Sequence, residues 1–280
     1  ELAPAAFAEV RSVLGLSNLL YRSTLGLPSD VIIGRAPLWP NFLTFAGAGK
    51  SGATFFASSD SSLLIKSCTR AEVRVLLRML RPYIAHLSAA PHSLLPCFYG
   101  LLRVDDARGR PVSHYVISEN FFASGRPLRQ RYDLKGSTVG RQANKKELAK
   151  GSQAVLKDLD WLNCGTRLDF GEAGPLLLEV LRSDVDFLCT QHVMDYSLLV
   201  GLSSQLQSAE SADACGGDSS SLRYSKGSQS ASPCPKPCAG AKHEEHLATG
   251  GMCVLGVVDI LVAYSWRKRL ETTLRGSLCC

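Results

Sequence analysis

The hydrophobic period of the chain changes sharply between Asn41 and Leu87, and no other feature limits the fold as much. A short apolar run (Phe42, Leu43, Phe45), a glycine-rich turn (Gly47, Gly49, Gly52), a second run over Thr54–Ala57, a serine turn and a third run over Leu63–Lys66 predict three strands joined by tight turns. Directly afterwards Val73, Leu76, Leu77, Leu80, Ile84 and Leu87 recur at the i, i+3, i+4, i+7 spacing of an amphipathic helix over Ala71–Leu87. Leu94–Leu102 and His114–Phe122, on either side of an Asp-Ala-Arg-Gly turn, read as two further strands. The result is a sheet-rich lobe with one long helix, preceded by a helical rhythm over Ala5–Leu27 that Pro28 ends.

A second lobe is expected from about Gly125, so that residues 1–124 and 125–280 form the two units. It holds a helical stripe (Leu176, Leu177, Leu181, Val185, Leu188), a strand over Tyr196–Leu202 and an apolar strand over Met252–Ile260. Between the last two, Ser203–Gly250 is rich in Ser, Gly, Ala, Gln and Pro and has too little apolar surface to offset its ordering entropy, so it reads as a disordered insert. The fold class expected is α/β in the α+β sense, with antiparallel sheets and packed helices.

Charge and cysteine usage narrow the function. The formal net charge is only +6, but Arg126–Lys157 carries nine Lys or Arg against Asp133 and Glu147. Such a segment favours phosphates on nucleic acid, nucleotide or an anionic membrane, and a solvated face accounts for the charge equally well. The ten cysteines are irregularly spaced and no basic-then-apolar leader opens the chain, which fits a reducing, cytoplasmic compartment. Gly251–Tyr264 is too short for a bilayer span and contains Asp259, so membrane contact is expected to be peripheral. Cys234, Cys238, His243 and His246 have zinc-ligand chemistry but the wrong spacing for a finger.

The glycine-rich turn admits two phosphate-binding readings. Ala48-Gly49-Lys50-Ser51 resembles the end of a P-loop, yet Thr44 stands where that loop needs its first glycine, and Ala53–Ala57 reads as a strand where a P-loop opens a helix. A strand, glycine turn and strand is instead the lid that protein kinases lay over ATP phosphates, with Gly49, Ser51 and Gly52 at its tip. Lys66 ends an apolar strand, where an ammonium needs an anionic partner such as ATP phosphate. Glu72 shares a helical face with Leu76 and Leu80 and would point inward to hold it. An exposed lysine beside a surface glutamate satisfies the same residues. Asp195 and Asp259 are lone carboxylates in apolar company that require a metal, a proton or a donor. Phosphoryl transfer uses such a pair, one to align or deprotonate the attacking hydroxyl and one to hold magnesium; two aspartates capping turns is the plainer alternative. The protein-kinase motifs His-Arg-Asp and Asp-Phe-Gly are absent.

Tyr132-Asp133-Leu134-Lys135-Gly136-Ser137-Thr138 and Met194-Asp195-Tyr196-Ser197-Leu198-Leu199 are similar to the two most distinctive motifs of phosphatidylinositol phosphate kinases, and the resemblance is strongest to the type I branch. Further likeness lies in Ser58–Asp60 with Ile65-Lys66, in Leu94–Pro96 with Phe98–Leu101, in Lys157–Asp160 and in Gly256–Leu261. The resemblance implies a two-lobed fold distantly related to protein kinases, with ATP and Mg2+ between the lobes. It assigns Lys66 to ATP, Asp195 to catalysis, Asp259 to the metal, and Asp133, Lys135 and Arg141 to the phosphate and headgroup end of the cleft. It further implies phosphatidylinositol 4-phosphate and anionic membrane as partners, at the cytosolic face, with no nucleic acid. Trp266–Leu270 matches the basic helix that follows in the family, but the ten remaining residues hold no counterpart of its substrate-selecting loop. The second expectation is therefore a weakly catalytic scaffold that binds active type I kinases.

Overall fold

The computed structural model describes residues 1–25, 43–46, 53–58, 60–121, 128–165, 167–203, 243–246 and 252–264. The chain opens with two helices where a continuous one is expected: α1 (Pro4–Val13) and α2 (Asn18–Thr24). Gly15 takes a left-handed φ of 71° between them, and the Ser17 hydroxyl caps α2 by accepting from Leu20 N at 3.1 Å. The buried guanidinium of Arg11 fastens this segment: it donates to Tyr99 O (2.6 Å), Glu1 (3.0 Å) and Asn18 (2.7 Å) and lies 4.3 Å above the Tyr21 ring.

The strands β1 (Leu43–Ala46), β2 (Thr54–Ala57), β3 (Leu63–Cys68), β4 (Phe98–Asp105) and β5 (Pro111–Glu119) form an antiparallel sheet in the order β1-β2-β3-β5-β4. Between β3 and β4 runs α3 (Arg70–Ala89), whose apolar stripe places Val73, Leu76, Met79, Leu80, Tyr83, Ile84 and Leu87 in the core. The Tyr83 hydroxyl is buried beneath β4, donating to Pro96 O and accepting from Phe98 N.

A second sheet, in the order β10-β11-β9-β6-β7, is built from β6 (Leu128–Leu134), β7 (Val155–Lys157), β9 (Ser197–Ser203), β10 (His243–His246) and β11 (Met252–Val258). Among the described residues only β6 and β7 pair in parallel. The helices α4 (Lys145–Leu148), α5 (Asp158–Cys164) and α6 (Gly174–Thr190) and a small pair formed by β8 (Val193–Met194) with β12 (Val262–Ala263) complete the described chain. Two expectations are corrected here. Ser203 closes β9, and His243–His246 pairs with β11, so these residues of the segment read as a disordered insert belong to the sheet; residues 204–242 and 247–250 lie outside the described residues. Lys66 does not end its strand, since β3 continues through Cys68.

One hydrophobic core spans both sheets, from Phe7 and Leu76 to Leu188, Val200 and Leu255. Gly256 of β11 lies beneath the Phe121 ring that follows β5, where a β-carbon would come within 2.7 Å of three ring carbons. Among the described residues no helix is long and apolar enough to cross a membrane.

Candidate active site

Alternation along β3 buries Leu63 and Ile65 and turns Lys66 to the other face, opposite Phe55 of β2 and Val116 of β5. Its ammonium lies 3.4 Å from Asp259 Oδ1 and 3.9 Å from Glu72 Oε1. The side chain keeps 21% exposure, and the two carboxylates offset the desolvation of the rest. Glu72 holds two positions at once. Its Oε2 accepts from Thr69 N (2.7 Å) and Thr69 Oγ1 (2.9 Å), while Thr69 Oγ1 accepts from Glu72 N (3.2 Å). This capping box starts α3, and the other oxygen leans toward Lys66. The helical face alone suggests the Lys66 contact; the Thr-x-x-Glu spacing also carries the cap.

Asp195 and Asp259 occupy equivalent turns. Asp195 lies between β8 and β9 with φ 62°, and Asp259 between β11 and β12 with φ 63°. Val258 faces Ser197 across β11 and β9, and Val262 faces Met194 across β12 and β8. The two turns are therefore flanked on both sides by antiparallel pairs of two different sheets, and the aspartates lie in the gap between those pairs. Left-handed backbone at a non-glycine residue is strained; aspartate tolerates it better than most, and such strain persists where surrounding strands over-determine it.

The loop after β6 comes to the same place. The Lys135 ammonium donates to the Asp195 carbonyl oxygen. The loop is shaped by Asp158 at the start of α5, whose Oδ1 accepts from the amides of Lys135 (2.9 Å), Gly136 (2.8 Å) and Ser137 (3.4 Å). Arg141 donates from Nε to Asp158 Oδ2 (2.7 Å) and from Nη2 to Asp133 Oδ1 (2.9 Å). Burial pushes the Asp158 carboxyl up, but the Arg141 guanidinium and the Lys135 amide outweigh it and hold the group below the usual carboxylate value. Burial likewise opposes the charge on Arg141, and Asp158 and Asp133 reverse the effect and raise its pKa. Arg141 and Asp133 thus brace the base of the loop, and Lys135, also expected at the headgroup end, contacts the Asp195 turn.

Lys66, Glu72 and Asp259 are brought together directly, and Lys135 and Asp195 join them through the loop contact and the strand register. Gly49, Ser51 and Gly52 of the expected lid, and the Trp266–Leu270 string, lie outside the described residues. Asp158 escapes a reading of the sequence as a site residue, although it stands in the Lys157–Asp160 string. A carboxylate in the first turn of a helix gives no sign that it will collect amides from a loop more than twenty residues earlier.

A lysine from one sheet, paired with a carboxylate on the following helix and with an aspartate from another sheet, is the make-up of a phosphotransferase. The chain belongs to the phosphatidylinositol 4-phosphate 5-kinase family, whose model matches residues 41–278. It is 34% identical over 281 residues to phosphatidylinositol 4-phosphate 5-kinase-like protein 1 of Homo sapiens, covering 96% of this chain and 66% of that protein. It is 30% identical over 275 residues to a probable phosphatidylinositol phosphate kinase of Dictyostelium discoideum, covering 81% of this chain and 37% of that protein. A phosphatidylinositol 4-phosphate 5-kinase of Schizosaccharomyces pombe is 36% identical over 155 residues, covering 55% of this chain and 21% of its own length. The chain thus spans two thirds or less of the length of these curated relatives.

Proposed function

We propose that this chain transfers the γ-phosphoryl group of ATP to a ring hydroxyl of phosphatidylinositol 4-phosphate, giving the 4,5-bisphosphate, at the cytosolic surface of an anionic membrane. The observation that carries the reading is the meeting of Lys66 with Asp259, 193 residues apart in sequence, beside the turn that holds Asp195. Family membership and the names of the relatives support the substrate class. The basic segment of the sequence from Arg126 to Lys157 supports the membrane, each cation near an anionic surface contributing on the order of 1 kcal/mol.

In this mechanism Asp195 orients the attacking hydroxyl and accepts its proton as the new P–O bond forms and ADP departs. Lys66 binds the phosphates and balances charge spread onto their oxygens in the transition state. Lys135, reaching the Asp195 turn from the other side, supplies a second cation to the incoming headgroup. The half-exposed Asp259 carboxylate fits a magnesium ion, which takes one or two carboxylates together with substrate phosphates; Asp259 would hold it, and it would neutralise the developing phosphate charge.

The test is ATP-dependent phosphorylation of vesicles containing phosphatidylinositol 4-phosphate by the full chain, beside Asp195→Asn and Lys66→Ala. Turnover by the wild type with a loss of about a hundredfold or more in each variant is expected. Equal, background-level signal from all three rejects catalysis.

A further inference from the structure

We propose that Asp184, on α6 eleven residues before Asp195, is a positioning residue that sets the Lys66 side of the site against the Asp259 side. The proposal rests on the kinase reading above. Asp184 is fully buried, and its carboxylate gathers three donors from the opposite side of the core. Oδ1 meets His86 Nε2 at 2.7 Å and accepts from Ser93 Oγ at 2.7 Å, and Oδ2 accepts from the Leu94 amide at 2.6 Å. A carboxylate with no access to water is tolerated only where such donors are fixed, so the three groups are held as firmly as it is.

Two of the three donors lead to the two sides of the site. His86 lies in the last turns of α3, the helix whose first turn carries Glu72 against Lys66, and its ring stacks on Phe187 of α6 with centroids 4.6 Å apart. Arg78, also on α3, donates to Gln191 O at the end of α6 at 2.7 Å. Leu94, whose amide is held by Asp184, in turn accepts from the amide of Val257 at 2.7 Å. Val257 is two residues before Asp259 on β11. One buried carboxylate therefore ties together the helix whose first turn carries Glu72, the partner of Lys66, and the strand that leads into the Asp259 turn. Displacement of either by about 1 Å is enough to cost on the order of a hundredfold in a reaction that depends on both.

Amide hydrogen exchange tests this on the full chain without relying on turnover. Asp184→Asn is expected to raise exchange about tenfold or more in residues 91–97 and also in β11, with Ser93→Ala producing the same pattern more weakly and Arg110→Ala, on the exposed β4–β5 turn, leaving both segments unchanged. In the vesicle assay Asp184→Asn is expected to lower kcat about tenfold with the KM for lipid unchanged, since the headgroup side is not displaced. Faster exchange confined to 91–97 with β11 at the wild-type level overturns the coupling, and so does a wild-type kcat in Ser93→Ala or Asp184→Asn protein whose exchange has risen in both segments. Where Asp184→Asn does not fold, Ser93→Ala decides alone. A wild type without kinase activity counts against the catalytic reading, and the exchange pattern still decides whether the clamp exists.

Discussion

Replacing Asp158 by alanine removes the carboxylate that accepts from three successive amides and from Arg141, and the consequences reach both stability and the site. Removing one partner of a buried ion pair costs about 3–5 kcal/mol. Asp158 keeps 10% side-chain exposure and Arg141 keeps Asp133, so the lower end, about 3 kcal/mol, is expected. At about 2–4 °C per kcal/mol for a domain of this size, the melting temperature falls by roughly 9 °C. Asp158→Asn, which retains one oxygen for the amides, loses about half as much. The folded carboxyl titrates below its unfolded value of about 3.9, so its contribution is fully present above about pH 4 and disappears as pH falls through the folded value. Thermal melts of wild type and Asp158→Asn from pH 7 to pH 3 should therefore show a constant gap that closes only below about pH 4. The same variants should lose vesicle phosphorylation, because Lys135 loses the loop that carries it to the Asp195 turn. A melting temperature for Asp158→Ala within about 2 °C of wild type, or a gap for Asp158→Asn indifferent to pH across that range, would refute the account of the loop.

Gly256→Ala places a methyl group against Phe121 and should cost about 2 kcal/mol in urea denaturation; the same substitution made with Phe121→Leu should cost less than the two changes separately, and full additivity would mean that the ring is not the obstacle. Arg11→Ala removes a buried charge-assisted bond to Tyr99 O and the contact with the Tyr21 ring, with an expected loss of about 2–3 kcal/mol on the same assay and none if the amino-terminal helices are not docked. Burial and the neighbouring Glu72 push the Cys68 thiol up to about 11, so iodoacetamide at neutral pH should label the exposed Cys189 long before Cys68, as read by mass spectrometry of the digested protein.

What the sequence makes legible follows from how many residues share a signal. The stripe on α3 recurs over five turns and its helix stands within two residues of expectation, at Arg70–Ala89. The amino-terminal rhythm is equally apolar, but Gly15 and Ser17 divide it, and a single glycine in a helical pattern does not announce a left-handed turn. β6 escapes the pattern because Arg129, Arg131 and Asp133 dominate Leu128–Leu134; the alternation that buries Leu128 and Tyr132 is there, behind charges on the other face. His243–His246 has no apolar residue at all and is a strand only by pairing with β11. Within the site, Lys66, Asp195 and Asp259 stand out because each is polar in apolar company. Asp158 and Asp184 do not, since a carboxylate on a helix is ordinary until its partners, which lie far off in the chain, are known.

The partners that Lys66 has in this structure bear on how the site would receive a nucleotide. At 3.4 Å from Asp259 and 3.9 Å from Glu72, with Asp259 47% exposed, these are loose pairs near water, worth about 1 kcal/mol or less each. A triphosphate offers several charged oxygens to the same ammonium, so it can take the place of Asp259 at small cost and leave that carboxylate facing the phosphates. Glu72 is different, because its second oxygen is committed to the Thr69 cap and the helix start cannot be released without losing it. The arrangement thus separates a partner that holds the lysine in place from one that yields to substrate. Asp259→Asn should accordingly leave the position of Lys66 unchanged while impairing turnover, whereas Glu72→Ala should weaken nucleotide affinity and fray the first turn of α3 together.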